Sequence, residues 1–374
     1  MTDFENPLLN LSSYPFSSGN AVCLHSARNG LWHIMRIMNL SPDDEVLIPS
    51  YNCGAEVDPV VKWGAKVKLY RVDSKLLIDI NDLRAKINQN TKAVMITHYF
   101  GFPQPVDIIR KICDEKELYL IEDCTHSMLS TYRNKPLGSF GDFSVYSFKK
   151  FLPVPDGGAM VINNRRVRFA GMLKSPPLEF ELNNLAKQLI LKITGINNKG
   201  LLLTFGHFTS VFQKSEFLTD PLSGRKSKLP TRWYDYRTDP KKAGWKPTRY
   251  SALLLGKYAR ENYLEYIVRK RKENFRFMLE QLKTSDSAVP VFDNLPDEVC
   301  PSLFPVFVRE RDKTHEVLTR NGIFCLKAWS VFYPGMPWDH FPDSVYLKTH
   351  IISIPIRPEV SGKYMIQAVK LLQS

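Results

Sequence analysis

The chain has 374 residues, of which 44% are hydrophobic and 24% charged, a balance that excludes a mainly disordered, collagen-like or coiled-coil protein. At about 100–200 residues per domain it holds two domains, or one large domain with an appendage. The net charge is +13, and between Asn163 and Lys246 there are 16 Lys or Arg against 6 Asp or Glu, so most of the excess forms one local patch and a nucleic-acid binder is not expected.

The opening residues, MTDFENPLLN, carry two acids and no apolar run, so no signal peptide is expected there. Gly30 to Met38 is apolar and long-sided, which suits a buried helix. Pro42-Asp43-Asp44 makes a turn, and Glu45–Pro49 reads as a short buried strand. Ala65–Tyr70 is a second strand, with Lys66 and Lys68 alternating with apolar residues. Ala93–Thr97 is a third, followed by the turn residues Gly101 and Pro103. Ile108 to Lys116 is helical. Leu118–Ile121, Phe143–Phe148 and Ala159–Ile162 complete the strands. Strands alternating with helices predict an α/β domain with a largely parallel sheet.

The segment 163–245 breaks this rhythm as a basic insertion. Residues 182–213 contain no acid, and Leu182, Leu185, Leu189 and Ile193 sit at helical spacing. It packs on the sheet or at a dimer interface; alternatively, 182–213 makes a peripheral contact with a membrane or a lipid-linked substrate. Pro221 to Lys246 reads as loop. Beyond it, Tyr250 to Leu282 is one long helical stretch, whose Arg269–Glu273 cluster reads as a solvated face. Phe304–Val308 is a strand, Lys313–Arg320 a helix, Ile323–Trp329 and Ile351–Ile356 strands, and Tyr364–Leu372 a helix. Six separated cysteines without a CxxC pair argue against a disulfide framework or zinc knuckle and for a cytoplasmic setting. No apolar stretch reaches about 18 residues, so no membrane span is expected.

Ligands of open α/β sheets bind beyond the carboxyl ends of the strands. Two strand ends carry chemistry. One is followed by Glu122-Asp123-Cys124-Thr125-His126-Ser127, the other by Lys149-Lys150 and Asp156-Gly157-Gly158. A lysine facing an acid is the minimum for pyridoxal phosphate: an amine for the Schiff base and a carboxylate for the pyridine nitrogen. On these residues alone, Asp123 equally serves as a turn or helix cap, and Lys149-Lys150 as a solvated pair.

The surrounding motifs narrow the choice. Asp44-Glu45-Val46 with Ile48-Pro49-Ser50 comes first, then Gly64-Ala65, Thr91-Lys92-Ala93 and His98-Tyr99-Phe100-Gly101. Ile121-Glu122-Asp123 with His126, Gly138–Asp142, Ser147-Phe148, Lys150 and Asp156-Gly157-Gly158 follow. In order and spacing the chain resembles the DegT/DnrJ/EryC1/StrS family of sugar aminotransferases, along about 20–160 and again at 246–374. The resemblance implies an α/β fold of the fold-type I pyridoxal phosphate-dependent transferases. It implies a large cofactor domain with a mostly parallel sheet (1–245, with the basic insertion) and a smaller C-terminal α/β domain (246–374). It further implies a homodimer with its active site at the interface. The implied reaction moves an amino group from an amino acid, glutamate by resemblance, to a keto-sugar on a nucleotide or lipid diphosphate, in surface polysaccharide or related sugar synthesis.

Residue by residue, the resemblance implies that Lys150 is the Schiff-base lysine, with Lys149 the neighbour to be told from it. Asp123 would pair with the pyridinium nitrogen, His126 would lie near the phenolic oxygen, and Ser147 would contact the phosphate. Ala27-Arg28 stand at a helix start where the family usually has Gly-Thr. A helix N-terminus binds anions, and the Arg28 fork suits phosphate; a salt bridge on the helix surface is the other reading of Arg28. Cys53 stands where many relatives stack an aromatic ring on the cofactor. The lysine loop is shorter than usual, and Gly244 lies near the place of a partner-subunit Asn. Two other functions stay open: a different pyridoxal phosphate reaction on an amino acid, or a non-catalytic protein on a degenerate scaffold. No metal site is expected.

Overall fold

The computed structural model describes residues 14–193 and 237–374. Its centre is a seven-stranded sheet in the order β1-β9-β8-β5-β4-β2-β3, built from β1 (Ala21–Leu24), β2 (Glu45–Pro49), β3 (Lys66–Tyr70), β4 (Thr91–Thr97), β5 (Tyr119–Asp123), β8 (Phe143–Ser147) and β9 (Gly158–Ile162). The short strands β6 (Thr131–Tyr132) and β7 (Lys135–Pro136) form a separate hairpin. Strands β3, β2, β4, β5 and β8 run parallel, and β9 turns antiparallel between β8 and β1.

The sheet is buried on both faces, so its strands read as continuous apolar runs. Alternate residues feed opposite cores. Val46, Ile48, Met95 and Val145 pack with Leu31, Ile34 and Met35 of α1 (Ala27–Met38) and Val60 of α2 (Asp58–Trp63). Leu47, Val94, Ile96 and Leu120 pack with Leu83 of α3 (Ile80–Lys86) and Val106, Ile109 and Cys113 of α4 (Val106–Glu115). Helix α1 starts at the N-cap Ser26, which accepts from the Asn29 N–H, and stops at Asn39 in the left-handed region. The C-terminal part forms an antiparallel sheet of Ala288–Pro290, Leu303–Val308 and Ile351–Pro355, backed by Phe275, Met278 and Leu282 of the helix Glu261–Leu282 and by the last helix, Gly362–Gln373.

Several expectations need correction. The stretch Tyr250–Leu282 is two helices, Arg249–Tyr258 and Glu261–Leu282, separated at Ala259-Arg260. Ile323–Trp329 is no strand: it makes a single bridge, Leu326 to Ser353, and ends at Trp329 with φ 48, which a pleated ladder cannot hold. Asp123 closes β5 rather than following it. The elements β1, α2 and α3 were not expected, being short and weakly periodic. The apolar segment 182–213 begins in α5 (Leu178–Ile193); residues 194–213, and with them most of the expected surface contact, lie outside the described residues. No described helix is long and apolar enough to cross a membrane. None of the six cysteines forms a disulfide.

Sheet and helix come too close at Gly158 to admit a side chain. A Cβ there would lie 2.4 Å from the Tyr146 carbonyl oxygen and 2.6 Å from the Ala27 nitrogen, both backbone atoms that cannot swing away. Gly158→Ala is expected to lower stability by about 1–3 kcal/mol. Urea unfolding checks this as a lower midpoint at unchanged slope; an unmoved midpoint contradicts it.

Candidate active site

The site lies at the carboxyl ends of β5 and β8. Asp123, 5% exposed, ends β5, and its Oδ1 accepts the Thr125 N–H at 2.8 Å. The turn role open to Asp123 is therefore filled, and it leaves the second carboxylate oxygen for another partner. The Thr125 hydroxyl accepts from Lys150 Nζ at 3.0 Å. Strand β8 stops at Ser147 and passes into a 3-10 turn, Phe148–Lys150. That turn sends the two lysines different ways: Lys149 is exposed, whereas Lys150 is partly buried and faces Thr125.

Burial sets the electrostatics. It pushes the Asp123 carboxyl up to about 6, helped by the nearby Glu56 carboxylate and opposed by the Lys150 ammonium. Burial also pulls the Lys150 amine below its ordinary value, with Asp123, Cys53 and Glu56 opposing and Arg28 assisting. His126 is held well below the usual histidine range by burial and by the Lys150 and Arg271 charges. It is neutral near pH 7, with Nδ1 2.8 Å from Ser302 Oγ and its ring 4.5 Å from that of Trp329.

The backbone segments that carry the phosphate-cup candidates come together at the start of α1. Ser147 is buried and pairs with Gly158 across the β8–β9 ladder. Gly158 in turn abuts the Ala27 nitrogen at the first turn of α1. Arg28 Nη1 donates to the Arg237 carbonyl at 2.8 Å, a tie to the chain near Thr238. Gly244 follows the turn Pro240–Lys242, and its carbonyl accepts the Lys174 N–H at 2.8 Å.

Cys53 sits in a polar setting. Its Sγ and its N–H both donate to Glu56 Oε2, at 2.9 and 3.1 Å. The other Glu56 oxygen accepts the Trp329 indole N–H at 3.2 Å. Lys348, fully buried and pulled down to about 7 by that burial, donates to the carbonyls of Asn52, Trp329 and Val331. It thereby ties the Cys53 loop to the Trp329 loop. His98, Glu122 and Cys124 also cluster. Both Glu122 oxygens, however, accept protein donors, from His98 and from the N–H groups of Gly138, Phe140 and Gly141. The cluster organises the 138–141 turn, and the Glu122 oxygens are taken up by protein donors.

The sequence reading missed Thr125, Glu56, Trp329, Ser302, Lys348 and Arg271. Arg271 corrects an expectation: the cluster 269–273 is not wholly a solvated face, because Arg271 is 0% exposed. The signal was available. Leu264, Ile267, Arg271, Phe275 and Met278 recur at helical spacing, and all are buried.

The mostly parallel sheet, with an acid and a lysine at the carboxyl ends of neighbouring strands, is the fold-type I architecture of pyridoxal phosphate-dependent transferases. Residues 3–174 match the model of the DegT/DnrJ/EryC1/StrS aminotransferase family. Among curated relatives the chain is similar to the GDP-perosamine synthase of Vibrio cholerae, 34% identical over 149 residues, 39% of each chain. It is also similar to the dTDP-4-dehydro-2,3,6-trideoxy-D-glucose 4-aminotransferase of Saccharopolyspora spinosa, 34% identical over 140 residues, 37% of this chain and 36% of that one. The chain thus spans about two fifths of the length of the curated relatives that it matches. Over nearly its whole length it has the fold of the putative sugar aminotransferase Spr1654 from Streptococcus pneumoniae in its PLP form (TM-score 0.67, 17% identity, 96% of this chain and 87% of that one). The same holds for PseC of Helicobacter pylori, titled an aminotransferase involved in the biosynthesis of pseudoaminic acid (TM-score 0.66, 18% identity, 95% and 86%).

The raised Asp123 carboxyl has a consequence for stability. The folded state holds its proton more tightly than the unfolded chain does, so this group favours folding below pH 4. That advantage is lost as the pH rises through about 4 to about 6. In Asp123→Asn the loss is absent. The stability of the variant relative to wild type is expected to climb across that window and level off above it, as read by denaturant midpoints from pH 4 to 8. A difference that does not change with pH contradicts the assignment.

Proposed function

We propose that this protein is a pyridoxal phosphate-dependent aminotransferase, carrying an amino group from an amino acid, glutamate by family resemblance, to a keto-sugar. The observation that supports it most is the contact chain Lys150 Nζ to Thr125 Oγ1, with Thr125 N–H to Asp123. It sets one amine of lowered basicity and one buried carboxylate at the mouths of adjacent strands. The residues fit the cofactor. Lys150 would bind its aldehyde carbon, Asp123 its ring nitrogen, and Ala27, Arg28 and Ser147 its phosphate. His126 and Cys53 would flank the ring. When bound, pyridoxal phosphate supplies the electron sink for reaction at an amino-bearing carbon.

The chain's own side chains do the rest. Thr125 holds the Lys150 amine by a hydrogen bond and leaves its position defined. Burial leaves part of the Lys150 population unprotonated nearer neutral pH, so the amine can take a proton at Nζ and return it. Asp123 places a full or partial negative charge where a ring N–H would sit, in a site where burial strengthens the attraction. Neutral His126, oriented by Ser302, offers one donor or acceptor without adding charge. Tyr51, Tyr99, Phe100 and Trp329, all buried, exclude water behind it. The names of the curated relatives support a nucleotide-linked acceptor; a lipid-linked one is the remaining alternative. A homodimer, a cytoplasmic setting and a division near residue 245 belong to the same reading, supported by the family resemblance.

Visible absorption with added pyridoxal phosphate tests it, followed by glutamate and assay of 2-oxoglutarate. Wild type and Lys149→Ala are expected to bind the cofactor with a visible band that glutamate bleaches. Lys150→Ala is expected to lose the band and at least about 10²-fold in turnover, the scale of one proton-transferring group. A colourless wild type would point to a scaffold without chemistry. Bleaching without 2-oxoglutarate would point to a different reaction on the amino acid.

A further inference from the structure

One side chain of the charged run 269–273 never reaches water. Arg271, on the helix Glu261–Leu282, divides its guanidinium between two distant segments. Nη2 donates to the Lys150 carbonyl at 2.7 Å, and Nη1 to the carbonyls of Ser302 at 2.6 Å and Pro301 at 3.2 Å. The ring of Phe151, the residue after Lys150, lies 4.7 Å from Cζ. Ser302 extends the connection: its hydroxyl is 2.8 Å from His126 Nδ1, and its N–H donates to the Phe100 carbonyl at 2.8 Å.

Among the described residues, no carboxylate forms an ion pair with this guanidinium, and burial lowers its pKa to about 10, which leaves it charged at neutral pH. An arginine buried without a carboxylate is costly. What offsets that cost is the set of backbone carbonyls, and those carbonyls belong to the lysine turn and to the segment that orients His126. We propose that Arg271 is a positioning residue that locks the Lys150 turn and the His126-orienting segment 301–302 into one rigid unit. The inference rests on the reading of Lys150 as the reactive amine.

The geometry calls for a guanidinium in particular. Its planar fork points N–H groups in fixed, divergent directions, whereas a lysine ammonium is one point at the end of one stem. A lysine at 271 can serve one segment but cannot span both. The charge acts as well. Two cations face His126, Lys150 from the turn after β8 and Arg271 from the long helix, and both disfavour its protonation. Asp123, at the end of β5, is the carboxylate nearest in sequence. Ser302, Phe100 and Trp329, the other groups packed against the ring, carry no charge.

Two variants separate fork from charge: Arg271→Lys keeps the charge and loses the fork, and Arg271→Met loses both while filling the space. Amide hydrogen exchange of the whole chain without cofactor, read by mass spectrometry, is the first measurement. In both variants, peptides covering 148–152 and 300–303 are expected to exchange at least about tenfold faster, as a locally loosened unit does, with the remainder of the central sheet unchanged. Histidine-labelled NMR, with His126 assigned by His126→Gln, is the second. The His126 titration midpoint is expected to rise in Arg271→Met and to stay low in Arg271→Lys. Unchanged exchange in either peptide, or acceleration spread evenly over the sheet, overturns the proposal. So does an unmoved His126 midpoint in Arg271→Met. If Arg271→Met does not fold, exchange in Arg271→Lys decides. Neither readout uses the cofactor, so a failed aminotransferase assay leaves this test standing, and a failed clamp leaves that assay untouched.

Discussion

The hydrogen bond from Lys150 to Thr125 is the contact on which the site depends. Thr125 also donates its N–H to Asp123, so one residue fixes both the amine and the carboxylate. The buried carboxylate and the partly buried amine are thereby placed where water weakens their interaction less than at the surface. Burial acts on them in opposite directions, raising the acid and lowering the base. The carboxyl is thus held up near 6 while the amine is held below its ordinary value. Environments that push paired groups away from their ordinary values are how a fold prepares acid–base chemistry.

The rest of the structure holds this pair still. Glu122 gathers His98 and three N–H groups of the 138–141 turn beneath β5. Lys348 and Glu56 join the Cys53 loop to Trp329, whose left-handed backbone (φ 48) persists because its indole, its carbonyl and its ring are all engaged. Backbone strain of this kind is kept where surrounding contacts over-determine it, commonly beside functional sites. Arg271 joins the lysine turn to the segment under His126. Contacts from the C-terminal half thus fasten a site whose proposed reactive groups all come from the first 150 residues.

Much of the large sheet was legible in the sequence, because strands buried on both faces show as apolar runs: Glu45–Pro49, Ala93–Thr97 and Phe143–Phe148 read as strands, against observed bounds of Glu45–Pro49, Thr91–Thr97 and Phe143–Ser147. Asp123 and Lys150 are singled out by their positions near strand ends, and they and His126 by the motif order of the family resemblance. The supporting residues were not, for two physical reasons. A buried cation such as Lys348 looks like a surface residue in composition, and although the helical spacing of Arg271 with its apolar neighbours marks it as buried, the partners of both are backbone carbonyls, which no side-chain pattern encodes. Thr125, Glu56 and Ser302 act through contacts set by the fold, across 25 residues in the first case and 176 in the last. Ile323–Trp329 reads as a strand because it is apolar, but the positive φ of Trp329 ends any ladder there. The same limit applies to Cys53: the family resemblance implies that an aromatic ring is missing there, while only the structure says that Glu56 occupies the thiol.

The central claim is that Lys150, and not its neighbour, is the amine that takes the cofactor. Borohydride reduction of the protein mixed with pyridoxal phosphate, followed by peptide mapping, tests it most directly. The account predicts a reduced, phosphate-bearing adduct on Lys150 alone, with Lys149 unmodified even at excess cofactor. An adduct on Lys149, or labelling scattered over exposed lysines with none preferred, would contradict it.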